Sequence, residues 1–200
     1  MAVAALHEAL LAAAASFGVL EARAAPRDEE RYSPLYLALT GDAHEDDTVY
    51  PLAIELIYEG YLLHYRESRV ASPGGGQSTR LLAGDYLYAR GLRLIAGDGD
   101  VAAVDLLTSL MAACSHFRVE GMEFACDDDM WAFTVAGLAA LREGCPLEVP
   151  AATFARVEAA IVAGHRDEVP RLLREGAAAL RLRDARPLEG YLAGFKAQAA

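Results

Sequence analysis

Apolar positions along this 200-residue chain recur with the period of an α-helix. In the segment 48–67 they follow the i, i+3, i+4, i+7 spacing of a helix that packs on one side. The segment 79–96 is apolar nearly all round, which predicts a helix that is central in the fold or lies in an oligomer interface. Because no stretch alternates with the period of a strand, the pattern predicts an all-α fold.

Helix breakers divide the chain into about seven to nine helices. The strongest are Ser72-Pro-Gly-Gly-Gly76, Gly97-Asp-Gly-Asp100 and Cys145-Pro-Leu-Glu-Val-Pro150. The helices are predicted at 2–23, 34–39, 48–67, 79–96, 100–117, 130–143, 151–164, 167–183 and 187–198. The chain length favours one domain over residues 1–200.

The charge balance narrows the classes of partner. The formal charge is −11, from 18 Lys+Arg against 29 Asp+Glu, and 54% of the residues are hydrophobic. Such a surface repels nucleic acid and anionic lipid headgroups, so neither is expected as a partner. It would also repel a diphosphate unless a local basic cluster or a metal ion reversed the field.

The cysteines and the start of the chain favour a cytoplasmic protein. Cys114, Cys126 and Cys145 are odd in number and have no CxxC spacing, so reduced thiols are expected. The Ala-rich beginning carries His7 and Glu8 without a basic segment, which indicates a helix and not a signal peptide. No apolar run is long enough to span a membrane.

Two acidic or glycine-rich segments have a chemical and a structural interpretation. Asp127–Asp129 could hold a metal, but adjacent helical residues point in different directions, so a solvated first helical turn is favoured. Gly74–Gly76 with Ser78, Thr79 and Arg80 could cradle a phosphate at the start of a helix. A flexible connection is favoured because the segment matches no phosphate-binding motif.

Single polar residues in the apolar helices also have two interpretations. His64 is a partly buried, hydrogen-bonded histidine or a base, and the first is favoured. Asp85 shares a helix face with Leu81 and Leu92, where an unpaired carboxylate is costly. A structural hydrogen bond to a helix end or to Arg90 is favoured over a substrate contact. The tyrosines of these two helices are expected in the core and in an interface.

Two of the helices resemble consecutive helices of the trans-polyprenyl diphosphate synthases. The segment 81–92, LLAGDYLYARGL, is similar to the AGDYL helix of that family, and the segment 53–69, AIELIYEGYLLHYRESR, to the helix before it. The resemblance extends over residues 28–145 and more faintly over 151–196. It implies a shortened isoprenoid-synthase-type helical bundle. The remnants of family motifs are Arg31, Pro34, His64, Gly84, Asp85 and Tyr86.

The places that carry the chemistry of that family differ in this chain. Tyr65, Arg66 and Arg69 stand where the first aspartate-rich motif has its three aspartates, and Glu67 is the only acid left there. Tyrosine and arginine do not ligate the Mg²⁺ ions that hold an allylic diphosphate. The second aspartate-rich motif is absent, and no lysine stands near Thr134, where the family has a Lys-Thr pair.

The diphosphate site of the family is altered as well. Its Gly-Gly-Lys-Arg-x-Arg-Pro sequence matches the stretch 28–34, where Arg31 and Pro34 are kept. Glu30 replaces the lysine and Ser33 replaces the second arginine. A charge reversal at about 4 Å turns an attraction of roughly 4 kcal/mol into a similar repulsion at an effective dielectric near 20.

These differences lead to one main expectation and two alternatives. The resemblance implies a non-catalytic subunit that pairs with a catalytic polyprenyl diphosphate synthase subunit and helps to set product length, as for a quinone side chain. No cofactor is expected, although the family uses Mg²⁺. The candidate interface residues are Tyr86, Tyr88, Leu92 and Ile95. The alternatives are a helical binding or scaffold homodimer and, with less support, an active synthase with unusual ligands.

Overall fold

A computed structural model of the chain describes residues 3–18, 20–22, 32–41, 48–73 and 76–198. These residues form nine α-helices, one short 3₁₀-helix and two three-residue strands, so the predicted all-α class is confirmed. The helices are α1 Val3–Ala15, α2 Ser33–Thr40, α3 Val49–Tyr65, α4 Gly76–Gly97, α5 Val101–Val119, α6 Phe124–Arg142, α7 Glu148–Val162, α8 Val169–Ala179 and α9 Arg186–Gln198. The strands are β1 Leu20–Ala22 and β2 Ala71–Pro73.

The predicted first helix is too long. Helix α1 ends at Ala15 and is followed by a turn at Gly18, whose φ of 79° is a backbone conformation that glycine adopts without strain. The hydroxyl of Ser16 donates a hydrogen bond to the carbonyl of Ala13 at 2.7 Å, which uses a carbonyl of the last turn. The chain then forms β1, which pairs antiparallel with β2. These two three-residue strands do not change the all-α class.

The chain divides into two compact units. The first contains residues 1–34 and 44–100, and the second contains 35–43 and 101–200. In the first unit, α3 packs along α4, and α1 contacts both of these helices. A hydrophobic cluster joins α1, α3 and α4, and its buried members include Leu10, Leu56 and Leu87.

Helix α6 is the centre of the second unit. Helices α5, α8 and α9 pack against it, and α7 packs on α5 and α8. Every residue from Asp127 to Ala140 is buried, and the ring of Phe133 lies 5.9 Å from that of Phe154 on α7. A helix buried on all sides must be apolar all round or pair its polar groups. The three aspartates of α6 therefore need partners on neighbouring segments.

Helix α4 has one buried side. Its buried residues Ala83, Leu87, Gly91 and Ile95 are four apart and form a single stripe, whereas Leu82 on the other side is 60% exposed. The helix that is buried nearly all round in the first unit is α3, from Tyr50 to Leu63. None of the helices in the described part of the chain is long and apolar enough to cross a bilayer.

Candidate functional site

The family-like residues of α3 and α4 meet at the C-terminal end of α3. His64 Nε2 lies 3.1 Å from Asp85 Oδ1, and the imidazole stacks on the ring of Tyr88 with 5.1 Å between the ring centroids. The side chain of His64 is 16% exposed and that of Asp85 is 65% exposed. His64 is partly buried, as the favoured interpretation expects, but its Nε2 lies beside the Asp85 carboxylate without forming the expected hydrogen bond. Asp85 pairs with His64 and not with Arg90.

Arg90 and Tyr86 instead connect α4 to the end of α1. Arg90 Nη1 donates to the hydroxyls of Ser16 at 2.8 Å and of Tyr86 at 2.7 Å, and these two hydroxyls lie 2.6 Å apart. The hydrogen bond with Ser16 and the guanidinium of Arg90 lower the pKa of Tyr86, against a smaller opposing effect of burial. The ring of Tyr86 also packs on Phe17, at 5.1 Å between centroids. Tyr86 therefore holds α1 against α4.

Glycines let α3 and α4 approach closely enough for the His64–Asp85 pair to form. A Cβ added at Gly84 would lie 2.4 Å from His64 Cδ2 and 3.1 Å from the carbonyl oxygen of Gly60. A Cβ at Gly60 would lie 2.7 Å from Tyr88 Cδ1. The glycine before Asp85 is thus the residue against which the imidazole packs, and a side chain there would displace it.

A half-buried arginine next to this pair caps α3. Arg80 Nε donates to the carbonyl of Leu63 at 2.5 Å, and its Nη2 donates to the carbonyls of Leu62 at 3.4 Å and of Arg66. A cation at a helix C-terminus satisfies unpaired carbonyls and favours the helix dipole. A cavity of about 470 Å³ lies beside it, lined in part by His64 and Gln77. Since its guanidinium is committed to α3, Arg80 is not available as a phosphate ligand.

Two buried acids on α3, Glu55 and Glu59, form a charge cluster with Arg69. Arg69 Nη2 lies 2.6 Å from Glu55 Oε2, and Arg69 Nε lies 2.5 Å from Glu59 Oε1. All three side chains are at most 1% exposed. Ser68 Oγ donates to Glu59 at 2.8 Å, and the backbone N–H of Ser33 donates to Glu55 at 2.9 Å. Each carboxylate therefore has a charged and a neutral donor.

Glu55 and Glu59 raise the pKa of Arg69. Burial by itself would lower the pKa of Arg69, but the charges and hydrogen bonds of Glu55 and Glu59 together raise it above its usual value. The guanidinium also lies 4.7 Å from the centroid of the Tyr58 ring. The sequence interpretation missed this cluster. Two glutamates four apart on an otherwise apolar helix were the available signal, because buried acids require a cation.

The structure also shows the backbone at the places where the family has its first aspartate-rich motif. Helix α3 ends at Tyr65, and Arg66 is extended, with φ −134° and ψ −152°. Residues 65, 66 and 69 therefore do not share one helical face, and Arg69 turns into the interior. Of the other family-like residues, Pro34 lies at the start of α2, whereas Arg31 and Glu30 lie outside the described residues.

The prediction that Asp127–Asp129 form a solvated first turn is wrong. The three residues lie inside α6 and are 0–8% exposed. Arg118 on α5 lies 2.6 Å from Asp127 Oδ2. Burial raises the pKa of Asp129 to about 6, with Arg174 lowering it and Asp128 raising it further. No group of three His, Cys, Asp or Glu side chains in the described residues is arranged to hold a metal ion.

The cysteines do not provide an activated thiolate. Burial raises the pKa of Cys114 well above its usual value and that of Cys126 to about 11, and nearby Asp127 adds to both effects. Burial also raises the pKa of Cys145, although Arg181 opposes it. All three are free thiols. A nucleophilic cysteine needs the opposite shift, so these thiols are poor nucleophiles at neutral pH.

The candidate interface residues differ in how much surface they offer. Ile95 is fully buried in the first unit, whereas Tyr86, Tyr88 and Leu92 are half-buried.

Comparison of the chain with protein-family models, with curated proteins and with solved structures found no match.

Proposed function

We propose that the chain is a non-catalytic, polyprenyl-synthase-like subunit that pairs with a catalytic subunit in the synthesis of isoprenoid diphosphates, as for a quinone side chain. The observation that carries the proposal is the position of Arg69. By the resemblance to the family, this residue stands where the first aspartate-rich motif has its last acid. In this chain its guanidinium is buried between Glu55 and Glu59.

A buried guanidinium at this place is incompatible with a metal site there. Mg²⁺ needs carboxylate oxygens that face an open, hydrated position. The carboxylates of Glu55 and Glu59 instead accept from Arg69, Ser68 and the backbone N–H of Ser33. The guanidinium of Arg69 thus occupies the place between these carboxylates where a metal ion would bind. This supports a protein that retains the packing of the family without its reaction.

The His64–Asp85 pair supports the same proposal. Both residues are at family-like places on consecutive helices. The ring of His64 packs against Gly84 of α4, where a side chain would overlap it. Histidine and carboxylate can hold and orient a proton, but nucleophilic chemistry needs a third reacting group. The pair therefore serves to join the two helices.

Helix α4 offers the surface for a catalytic partner. Leu81, Tyr88 and Leu92 are spaced i, i+7 and i+11, so they lie along one side of the helix. Leu81 is 39% exposed and the adjacent Leu82 is 60% exposed. Partly exposed aromatic and aliphatic residues beside one another are typical of the core of a protein–protein interface.

The test of this proposal combines an activity assay with a binding assay. The purified chain is incubated with Mg²⁺, farnesyl diphosphate and labelled isopentenyl diphosphate, alone and with a motif-complete polyprenyl synthase from the same genome. We expect no condensation by the chain alone, co-purification with the synthase, and a change in product length when both are present. Condensation by the chain alone would overturn the proposal.

Two matched variants locate the contact surface. Leu81→Glu introduces a charge on the side of α4 that carries Tyr88 and Leu92, and Val162→Glu introduces the same charge at a 75% exposed residue of α7. We expect Leu81→Glu to abolish co-purification and the change in product length, and Val162→Glu to leave both unchanged. If the chain elutes as a homodimer and does not co-purify with the synthase, the result supports the alternative of a helical scaffold.

A further inference from the structure

The largest cavity described for the second unit lies at the C-terminal end of α6. Its volume is about 770 Å³, which is in the range of small-molecule sites. Residues of the α8–α9 connection, the α6–α7 connection and α2 line it, and it is partly open to solvent. Its apolar wall includes Leu39, Ala140, Pro146, Val149 and Leu180, and its polar groups are Glu143, Cys145, Arg181 and Arg183.

Arg181 adopts an unfavourable backbone conformation to lie at this cavity. Its φ is +54°, and no other non-glycine residue of the described ranges has a positive φ. It follows Leu180, the C-cap of α8, at the position where helices commonly have glycine. Arginine is strained there and glycine is not. Strain of this kind indicates that the side chain has a use at the cavity.

The charges around the cavity leave a cation for a ligand. Arg183 Nη2 lies 3.4 Å from Glu143 Oε2, so these two lining charges offset each other. No carboxylate among the described residues is within ion-pairing distance of Arg181. The lining is thus net positive in a chain of formal charge −11. A small anion is attracted to this place and repelled by most of the remaining surface.

We propose that this cavity binds an anionic amphiphile, a ligand with one apolar chain that ends in a carboxylate or a phosphate. The planar guanidinium of Arg181 binds the head, since it matches both kinds of anion with two parallel hydrogen bonds. The apolar chain lies along the wall that contains Leu39, Val149 and Leu180. This site is in the second unit and does not depend on the function proposed from α3 and α4.

Cys145 lines the cavity and reports on its occupancy. Decanoate below its micellar concentration is added to the full chain, and alkylation by iodoacetamide at pH 9, where more of each thiol is ionised than at neutral pH, is followed at each cysteine by peptide mass spectrometry. We expect Cys145 to react about tenfold more slowly when free decanoate is roughly ten times its Kd. Cys126 is the internal control, because its neighbours are Arg118, Asp127 and Glu123 and not the cavity.

Two head groups and one neutral analogue define the ligand class. Decyl phosphate is compared with decanoate, and whichever head protects Cys145 at the lower concentration identifies the preferred anion. Decanol has the same chain without a charge, and we expect it to protect Cys145 at least about tenfold less well, since it loses the charge-assisted hydrogen bonds. Equal protection by decanol, or equal slowing of Cys126, would overturn the proposal.

The variant Arg181→Gly separates binding from folding. Glycine relieves the positive φ, so we expect the Tm to rise while the Kd for decanoate increases about tenfold. The control is Arg171→Gln, which removes the same charge from an exposed position of α8 and leaves the Kd within about twofold. An unchanged Kd in Arg181→Gly, or a lower Tm, would contradict the assignment of Arg181.

Discussion

Arg69 shows how one residue can determine the interior of a helical unit. Two carboxylates and one guanidinium are removed from water together, and their mutual attraction offsets a desolvation penalty that is several kcal/mol for each ion. Without the guanidinium, Glu55 and Glu59 would be like charges one helical turn apart in the same buried place. Asp129 is a different case at the same scale, because burial disfavours its ionised form.

Arg69→Met should destabilise the chain by about 3–5 kcal/mol, because it leaves two buried carboxylates without their cation. Urea unfolding measures the change. The matched control is Arg156→Met, which removes a surface guanidinium paired with Glu175 and should cost less than about 1 kcal/mol. Adding Glu55→Gln and Glu59→Gln to Arg69→Met should recover part of the loss. Equal losses in the two arginine variants would disprove this account of Arg69.

Asp129→Asn should stabilise the chain at pH 8 and have little effect near pH 3. The pKa of Asp129 is raised from the 3.8 of a carboxyl in water to about 6 in the folded chain, so the folded state holds the proton more tightly. Stability is therefore lost as the pH rises between these values. With solvent screening allowed for, the gain at pH 8 is about 1–2 kcal/mol. The exposed Asp105→Asn is the control in thermal unfolding at both pH values, and a gain at both would contradict the explanation.

At the scale of elements, the packing of α3 on α4 organises the first unit. Gly60, Gly84 and Gly91 each lie where a Cβ would meet the opposite helix, with the nearest atom at 2.4–2.7 Å. Their order along the two helices shows that α3 and α4 run antiparallel, with Gly91 against Ile57 and Gly84 against His64. The short segment Gly84-Asp85 thus combines a close approach with a polar contact across the same pair of helices.

Gly84→Ala should destabilise the first unit by about 1–3 kcal/mol, since the new methyl group overlaps the imidazole of His64. Gly97→Ala, at the end of the same helix, meets no atom within 4 Å and should be neutral or stabilising by up to about 1 kcal/mol. Urea unfolding compares the two variants, and the ¹H–¹⁵N spectrum of His64 reports whether its ring moves. A stable Gly84→Ala chain with an unchanged His64 spectrum would exclude the packing role.

At the scale of the whole molecule, charge is the property that most limits the choice of partners. The formal charge is −11, and the isoelectric point is about 4.9. Arginines are drawn into ion pairs, as with Arg156 and Glu175 at 2.6 Å or Arg118 and Asp127 at 2.6 Å. Because the arginines are paired, the surplus carboxylates make the electrostatic potential at the surface negative.

The chain should give no mobility shift with duplex DNA at low ionic strength, where electrostatic binding is strongest. It should bind an anion exchanger at pH 7 and reach its lowest solubility near pH 4.9, because net charge keeps proteins apart. A mobility shift that disappears with added salt would show a basic surface that the net charge conceals.

The positions of most helices follow from local information. The predicted ranges 48–67, 100–117 and 151–164 agree with α3, α5 and α7 to within about three residues, because apolar period and helix breakers act over a few residues. The prediction was wrong at 16–18 and 20–22, where a turn at Gly18 and pairing with β2 replace the helix. Strand pairing depends on a segment about fifty residues away, which local patterns do not reveal.

The sequence by itself determined the all-α class, the breaks between helices, the net charge and the family-like residues of α3 and α4. Only the tertiary structure decided which polar residues are buried and which groups they meet. Glu55 with Arg69, His64 with Asp85 and Arg118 with Asp127 are each brought together by packing between segments. The physical reason is that periodicity reports which side of a helix is apolar, whereas desolvation and ion pairing depend on what the opposite segment provides.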